Sequence, residues 1–193
     1  VAEFADQNVE PFREMTTKFN LSNNDFIRTT APHHHAGSQK LWKKMADNGD
    51  IYKDSYTGLY CVGCERYVGE KDLVDGKCPN HNKEPEKLEE ENYFFRLTKY
   101  KDEIAQLIET DELKIYPESR KNEILNIIRE SEDVSFSRPR KMLNWGVEVP
   151  GDPDHVMYVW CDALSNYITG IGYAEESERF KNYWPADMHI IGK

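Results

Sequence analysis

The sequence predicts an α/β fold that is interrupted in its middle. Helix-type and strand-type patterns alternate in the first part of the chain, and the last part again reads strand, helix, strand. Between them lies a segment rich in cysteine, glycine and charge that has almost no apolar periodicity. This order is typical of an α/β domain with an insertion, and 193 residues are enough for one domain or two small ones.

The chain is expected to begin with a helix followed by a strand. The helix is predicted over residues 8–19, where Asn8 can cap it and Pro11 fits its first turn. The β-branched run at residues 25–30 predicts a short strand, which Pro32 would end.

A second helix and a long extended segment follow. The helix is predicted from about residue 37 to residue 47, with the Asn-Gly pair at 48–49 as its stop. Residues 51–61 are expected to be extended, with a turn at 57–58. Residues 61–83 lack the apolar pattern of a core, so this segment is predicted to need a staple, that is, a cross-link such as a metal ion or a disulfide.

Two helices come next, and then the pattern changes. Thr98 is expected to cap the first helix, and Pro117 to lie in the first turn of the second. A turn is predicted at residues 151–154.

The last elements are predicted to be a strand, a helix and a strand. Residues 156–160 are almost fully apolar, as in buried parallel strands. A helix is expected over residues 162–169, ended by Gly170, and residues 189–191 are predicted to form a further buried strand.

The staple is predicted to be a zinc site. The segment reads Cys61-x2-Cys64, 13 residues, then Cys78-x2-His81. Zn²⁺ takes four soft or borderline ligands in a tetrahedron, and protein atoms would fill all four positions, so this zinc would be structural. The alternatives are unrelated reduced thiols, a disulfide, although nothing suggests secretion, and a redox pair, which needs a strand-to-helix context.

The remaining cysteine is interpreted as structural, and a histidine run is not favoured as a metal site. Cys161, beside Trp160, is expected to be a buried, inert thiol. Residues His33–His35 would point to opposite sides of an extended segment, so metal binding by these three is not favoured.

The charge excludes some classes of protein. A net charge of −10 disfavours a nucleic-acid coat or a membrane-surface protein, since both need a basic face. Residues 84–112 carry 10 acidic and 4 basic side chains, interpreted as a solvated turn or helix face centred on residues 84–91. No run of 18 apolar residues and no signal peptide is found, so neither a membrane span nor a secretory origin is expected.

Beyond these patterns, the chain resembles the methionyl-tRNA synthetases, a family of class I aminoacyl-tRNA synthetases. The resemblance covers nearly the whole chain and rests on an ordered set of segments around the zinc spacing. They are Asp25–Thr30, Gly49–Lys53, Gly58–Cys61, Glu91–Leu97, Ser137–Arg138, Trp145–Pro150, Tyr158–Trp160, Asp162–Leu164, Asn166–Tyr167, Trp184–Asp187 and Gly192–Lys193.

The resemblance implies a fold and a domain division. It implies part of a Rossmann-type catalytic domain interrupted by a zinc-binding connective insertion, of the type with one zinc knuckle. The catalytic domain would then occupy residues 1–57 and 137–193, and the insertion residues 58–136 with its knuckle at 58–83.

The resemblance also implies ligand-binding residues. The methionine pocket would include Trp160, Ala163, Leu164 and Tyr167, and many family members have Pro where Leu164 stands. Aromatic rings suit a thioether, because sulfur is polarizable. Gly192 and His189 would lie at the ATP site, His34 would lie near the active site, and the zinc ligands would be the four residues named above.

The family activates L-methionine with ATP, which carries Mg²⁺, and transfers it to tRNA(Met). Its H-I-G-H and K-M-S-K-S signatures, which stabilise the triphosphate, are absent from this sequence, so no catalytic residue is assigned. We therefore expect a fragment that is inactive by itself.

An independent zinc-ribbon binding module without catalytic activity is the alternative. Residues 57–83 carry four acidic and four basic side chains, which is poor support for general nucleic-acid binding. The expected location is cytoplasmic, because the cysteines are interpreted as reduced.

Overall fold

The computed structural model describes residues 2–64 and 66–192 as a mixture of helices and antiparallel strands. The α-helices are α1 (Ala2–Lys18), α2 (Pro32–Asp47), α3 (Lys101–Glu109), α4 (Lys121–Glu130), α5 (Val159–Thr169) and α6 (Glu178–Tyr183). The strands are β1 (Ile51–Cys61), β2 (Arg66–Val68), β3 (Glu86–Phe95), β4 (Val134–Ser135), β5 (Ser137–Pro139), β6 (Glu148–Val149) and β7 (Asp152–Met157). None of the helices in this described part of the chain is both long and apolar enough to cross a membrane.

The chain divides into two compact units. The first comprises residues 1–41 and 162–193, and the second comprises residues 42–161. The first unit is helical in its described part. Outside residue 65, which is not described, the second unit contains two sheets, with strand orders β2-β1-β3-β4 and β5-β7-β6.

The described residues of the second unit form three separate apolar clusters. One surrounds Trp42 and contains Val147, Val149, Met157 and Cys161. A second consists of Cys61, Val68 and Cys78, with Leu59, Cys64 and Leu73 packed against it. The third joins α3 to α4 through Ala105, Ile108 and Leu125. The cysteine segment thus has only a small apolar cluster of its own, built around its cysteines.

The first helix is longer than predicted. It begins before Asn8, whose side-chain amide donates to the Phe4 carbonyl at 2.7 Å, so Asn8 is not a cap. Pro11 lies inside the helix rather than in its first turn.

The strand predicted at residues 25–30 is not formed, although all six residues are described. Local hydrogen bonds occupy this segment instead. The Asp25 carboxylate accepts from the Phe26 amide at 2.8 Å, and the Ala31 amide donates to the Arg28 carbonyl. A β-branched run forms a strand only where a partner strand accepts its backbone hydrogen bonds.

The start of α2 also differs from the prediction. Pro32 is its first residue, a position where the missing N–H of proline costs nothing. His33–His35 therefore lie in a helix and not in an extended segment. The stop after residue 47 is confirmed, with Gly49 at a φ of 72°.

The extended segment 51–61 is confirmed as β1, but the turn within it is wrong. Thr57 and Gly58 pair with Glu89 and Leu88 of β3, in a continuous antiparallel register. The acidic run is consequently a strand and not a turn or helix face. Within it Glu90 is only 6% exposed.

The predicted start of the third helix is also wrong. Thr98 donates its hydroxyl to Asp133 at 2.7 Å, and α3 begins at Lys101. Pro117 does precede a helix, through a single 3-10 turn at Glu118–Arg120 that leads into α4.

The apolar run at residues 156–160 is split between two elements. β7 starts at Asp152, inside the predicted turn, and pairs antiparallel with β5 and β6. Val159 and Trp160 already belong to α5, because a short apolar run does not distinguish a strand from a buried helix. The end of α5 before Gly170 is confirmed, and so is the burial of Cys161.

The last predicted strand is not formed within the described residues. Residues 189–191 are irregular, and Ile190 is 87% exposed. No described strand pairs with this segment, so its backbone has no ladder to join.

Candidate metal centre and ligand-binding residues

The four predicted zinc ligands converge at the end of β1. Cys61 is the last residue of β1, and a tight turn closed by the Cys64 amide on the Cys61 carbonyl brings Cys64 back. A second turn, closed by the His81 amide on the Cys78 carbonyl, presents the other pair. Each knuckle therefore aims two side chains at one point.

Their distances fit a tetrahedral metal ion. His81 Nδ1 lies 3.7 Å from Cys61 Sγ, 3.3 Å from Cys64 Sγ and 3.8 Å from Cys78 Sγ. The Sγ atoms of Cys64 and Cys78 are 3.6 Å apart, and all four ligand atoms lie within 4.8 Å of one another. Bonds of about 2.3 Å to sulfur and about 2.1 Å to nitrogen separate tetrahedral ligands by about 3.6–3.8 Å. This group could hold a metal ion.

The protonation of the thiols depends on the same contacts. The hydrogen bond from His81 lowers the pKa of Cys78 to about 6. Burial, followed by hydrogen bonds to Cys78 and Cys61, raises the pKa of Cys64. The lowered pKa favours the thiolate of Cys78, which is the form that binds metal.

The four predicted methionine-pocket residues share one face of α5. Trp160, Ala163, Leu164 and Tyr167 are spaced i, i+3, i+4 and i+7 along this helix. Trp160 is 55% exposed, Leu164 51% and Tyr167 37%, while Ala163 is half-buried. Large apolar side chains exposed together on one helix face are typical of a binding surface.

Tyr167 lies beside His189, which was expected at the ATP site. Its ring meets the His189 ring edge-on, with centroids 4.9 Å apart. Both line a cavity of about 820 Å³ in the first unit, together with Asn24, Ile171, Arg179, Tyr183, Ala186, Asp187, Met188 and Ile190. Gly192 has no heavy atom within 4 Å of where a Cβ would stand, and Lys193 lies outside the described residues.

His34 occupies a site that the sequence did not specify. It is fully buried, with Nε2 2.7 Å from Asp162 Oδ1 and Nδ1 2.8 Å from Thr169 Oγ1. Its partners Asp162 and Thr169 were not predicted from the sequence. A usable signal was that α5 repeats polar residues at Asp162, Ser165 and Thr169, on the face opposite its apolar residues.

The chain is similar to methionine--tRNA ligases of several bacteria. It is 47% identical over 193 residues to the ligase of Caldanaerobacter subterraneus subsp. tengcongensis, a match that covers 99% of this chain and 30% of the relative. It is 46% identical over 200 residues to the ligase of Clostridium perfringens, with the same two coverages. The chain thus spans about 30% of the length of these relatives.

Solved structures agree with the sequence matches. The chain superposes on the crystal structure of Mycobacterium tuberculosis methionyl-tRNA synthetase bound by methionyl-adenylate, with a TM-score of 0.84 and 43% identity. That match covers 96% of this chain and 38% of the other. The apo form of the same synthetase gives a TM-score of 0.81 at 42% identity, covering 97% of this chain and 39% of the other.

The family comparison covers the chain from end to end. The sequence profile described as tRNA synthetases class I (M) matches residues 1–87 and residues 81–193. The chain therefore belongs to the family of class I tRNA synthetases (M), as a part of a longer family member.

Proposed function

We propose that the protein containing this chain activates L-methionine with ATP and transfers the methionyl group to tRNA(Met). The observation that carries this proposal is the 43% identity to a synthetase whose crystal structure holds methionyl-adenylate, over 96% of this chain. The exposed apolar face of α5 supports it, since it offers two aromatic rings and a leucine to a small apolar side chain.

Each residue of this face has a proposed role. The rings of Trp160 and Tyr167 pack against the thioether of methionine, whose sulfur is polarizable. The Tyr167 hydroxyl, as a hydrogen-bond donor, recognises that sulfur. Ala163 leaves room for the methionine side chain, and Leu164 adds an apolar contact. His189 and Gly192 lie on the ATP side, and the edge-on contact between His189 and Tyr167 links the two parts.

The zinc group has a proposed structural role. Zinc fits the Cys3His donor set and its distances, and no open position remains for a reacting group. We propose residues 58–136 as the connective insertion and residues 1–57 and 137–193 as parts of the catalytic domain. Mg²⁺ would accompany ATP in the whole protein. A cytoplasmic location is supported by the four cysteines, all described, none of which forms a disulfide, as fits a reducing compartment.

Amino-acid-dependent exchange of pyrophosphate into ATP tests this function. The assay uses the full-length protein that contains this chain, with methionine and each of several other apolar amino acids. We expect exchange with methionine alone. Trp160→Ala should raise the KM for methionine about tenfold or more, since one buried apolar contact is worth about 1–3 kcal/mol, and leave the KM for ATP unchanged.

Trp145→Ala is the matched control, because Trp145 is exposed to a similar extent, 49%, and lies outside α5. Exchange that responds equally to several amino acids would reject methionine as the substrate. An unchanged KM for methionine in Trp160→Ala would reject the proposed pocket.

A further inference from the structure

A buried polar network joins α2 to α5. His34 contributes both ring nitrogens to it, Nε2 at 2.7 Å from Asp162 Oδ1 and Nδ1 at 2.8 Å from Thr169 Oγ1. A carboxylate only accepts hydrogen bonds, so Nε2 carries a proton and donates to Asp162. The Thr169 hydroxyl can donate to Nδ1, which leaves no ring nitrogen of this fully buried side chain without a partner.

Ser38, one helical turn after His34, extends the network. Its hydroxyl lies 2.7 Å from the Ser165 hydroxyl and 3.2 Å from His34 Nε2. The two helices approach each other closely here. A Cβ added to Gly37 of α2 would lie only 2.5 Å from Cγ2 of Thr169 of α5. Polar contacts thus fill the space where helices of this kind usually pack apolar side chains.

The network and the proposed pocket occupy opposite faces of α5. At about 100° per residue, the centre of the face formed by Asp162, Ser165 and Thr169 lies about 160° around the helix from the centre of Leu164 and Tyr167. Ser165 and Thr169 are buried, whereas Leu164 and Tyr167 are exposed. Rotation or sliding of α5 would therefore move both faces together.

Hydrogen bonds are directional, whereas apolar contacts between helices tolerate small rotations and slips. A buried donor or acceptor that loses its partner also costs free energy. A histidine held at both nitrogens, by residues seven positions apart on α5, consequently selects one rotation and one register of that helix.

We propose that His34 is a positioning residue, which, through Asp162 and Thr169, holds α5 in the orientation that presents Leu164 and Tyr167 to the substrate side chain. This inference rests on the proposed function for the identity of the substrate. It assigns His34 no contact with the substrate.

Kinetics of the full-length protein test the proposal. His34→Ala removes both contacts and should raise the KM for methionine about tenfold, with the KM for ATP unchanged. His34→Gln restores a donor near the Nε2 position and should recover part of that loss. His33→Gln makes the same change at the exposed neighbouring histidine and should behave as wild type.

A second measurement decides the positioning claim independently of the substrate. With 3-fluorotyrosine at position 167, the ¹⁹F resonance should shift in His34→Ala and in Thr169→Val, and should not shift in His33→Gln. Thr169→Val keeps the shape of the side chain and removes only its hydroxyl.

The outcomes separate the two proposals. Exchange with no amino acid, or without preference for methionine, would reject the proposed function, and the ¹⁹F resonance would still test the role of His34. An unshifted resonance in folded His34→Ala would overturn the positioning role, as would a loss of kcat with both KM values unchanged.

Discussion

Gly63 lies directly against the imidazole of His81. A Cβ added to Gly63 would lie 2.5 Å from Cδ2 of that ring, closer than carbon atoms approach in folded proteins. The absence of a side chain at position 63 is therefore what lets the first knuckle close over the second.

Gly63→Ala is expected to weaken zinc binding. The new methyl group must displace the His81 ring, so Nδ1 leaves its place 3.3 Å from Cys64 Sγ. We expect a loss of about 10–100-fold in zinc affinity, measured by competition with a chromophoric chelator. Gly69→Ala is the control, since its Cβ would meet Asp72 Oδ2 at an ordinary 3.4 Å. Equal affinities of the two variants would contradict this account of the knuckle.

Removal of zinc is expected to unfold one segment locally. The Cys61 cluster and the α3–α4 cluster are separate, so loss of the metal need not disturb Ala105 and Ile108. After chelation, hydrogen exchange should accelerate in residues 58–83 and remain slow in α3 and α4. Cys64→Ala should reproduce this pattern, and Cys161→Ala should not. Metal analysis that finds no zinc in freshly purified protein would reject the zinc assignment.

The buried carboxylate of Asp50 is expected to depend on Tyr100. The Tyr100 hydroxyl donates to Asp50 Oδ2 at 2.6 Å, and hydrogen bonds from Lys99 and Tyr100 lower the pKa of Asp50. Tyr100→Phe should lower the free energy of unfolding by about 2 kcal/mol in urea titrations, because a buried charge loses a donor. Tyr183→Phe, at an exposed tyrosine, should change it little. Comparable losses in both variants would contradict a specific role for this hydrogen bond.

Acid stability is expected to depend on Asp152. Burial raises its pKa, but hydrogen bonds from Tyr93 and Lys53, together with the neighbouring imidazole of His155, outweigh burial and lower the pKa from 3.8 to about 2. A pKa lowered by folding stabilises the native state above about pH 4, and this stabilisation is lost as the pH falls towards 2.

Asp152→Asn should therefore be less stable than wild type at pH 7 and should show a shallower loss of stability between pH 4 and pH 2. Thermal unfolding measured across this range is the test. Asp47→Asn, at the exposed end of α2, is the control and should keep the wild-type slope. Parallel curves for Asp152→Asn and wild type would contradict the assignment.

Local sequence signals predicted the ends of two helices correctly and the positions of two strands incorrectly. Asn48-Gly49 and Gly170 marked the ends of α2 and α5, because these signals act within one helical turn. The run at residues 25–30 has strand composition but no partner strand, and the run at residues 156–160 divides between β7 and α5. Strand formation depends on neighbours that composition does not reveal.

The sequence by itself determined the Cys3His group that could hold a metal ion. Its ligands lie within 21 residues, and x2 knuckles bring each pair together through local turns, so the residue spacing already implies the geometry found around His81. Likewise, the spacing of Trp160, Ala163, Leu164 and Tyr167 places them on one face once the segment is helical.

Only the tertiary structure decided which buried residue forms hydrogen bonds with α5. His34 and Asp162 are 128 positions apart, and nothing local to either residue indicates the other. The tertiary structure also decided that the acidic run pairs with β1 as strand β3, since ten consecutive residue pairs form between segments about 35 residues apart. Contacts of this kind arise from packing of the whole chain, whereas knuckles and helix faces follow from a few neighbouring residues.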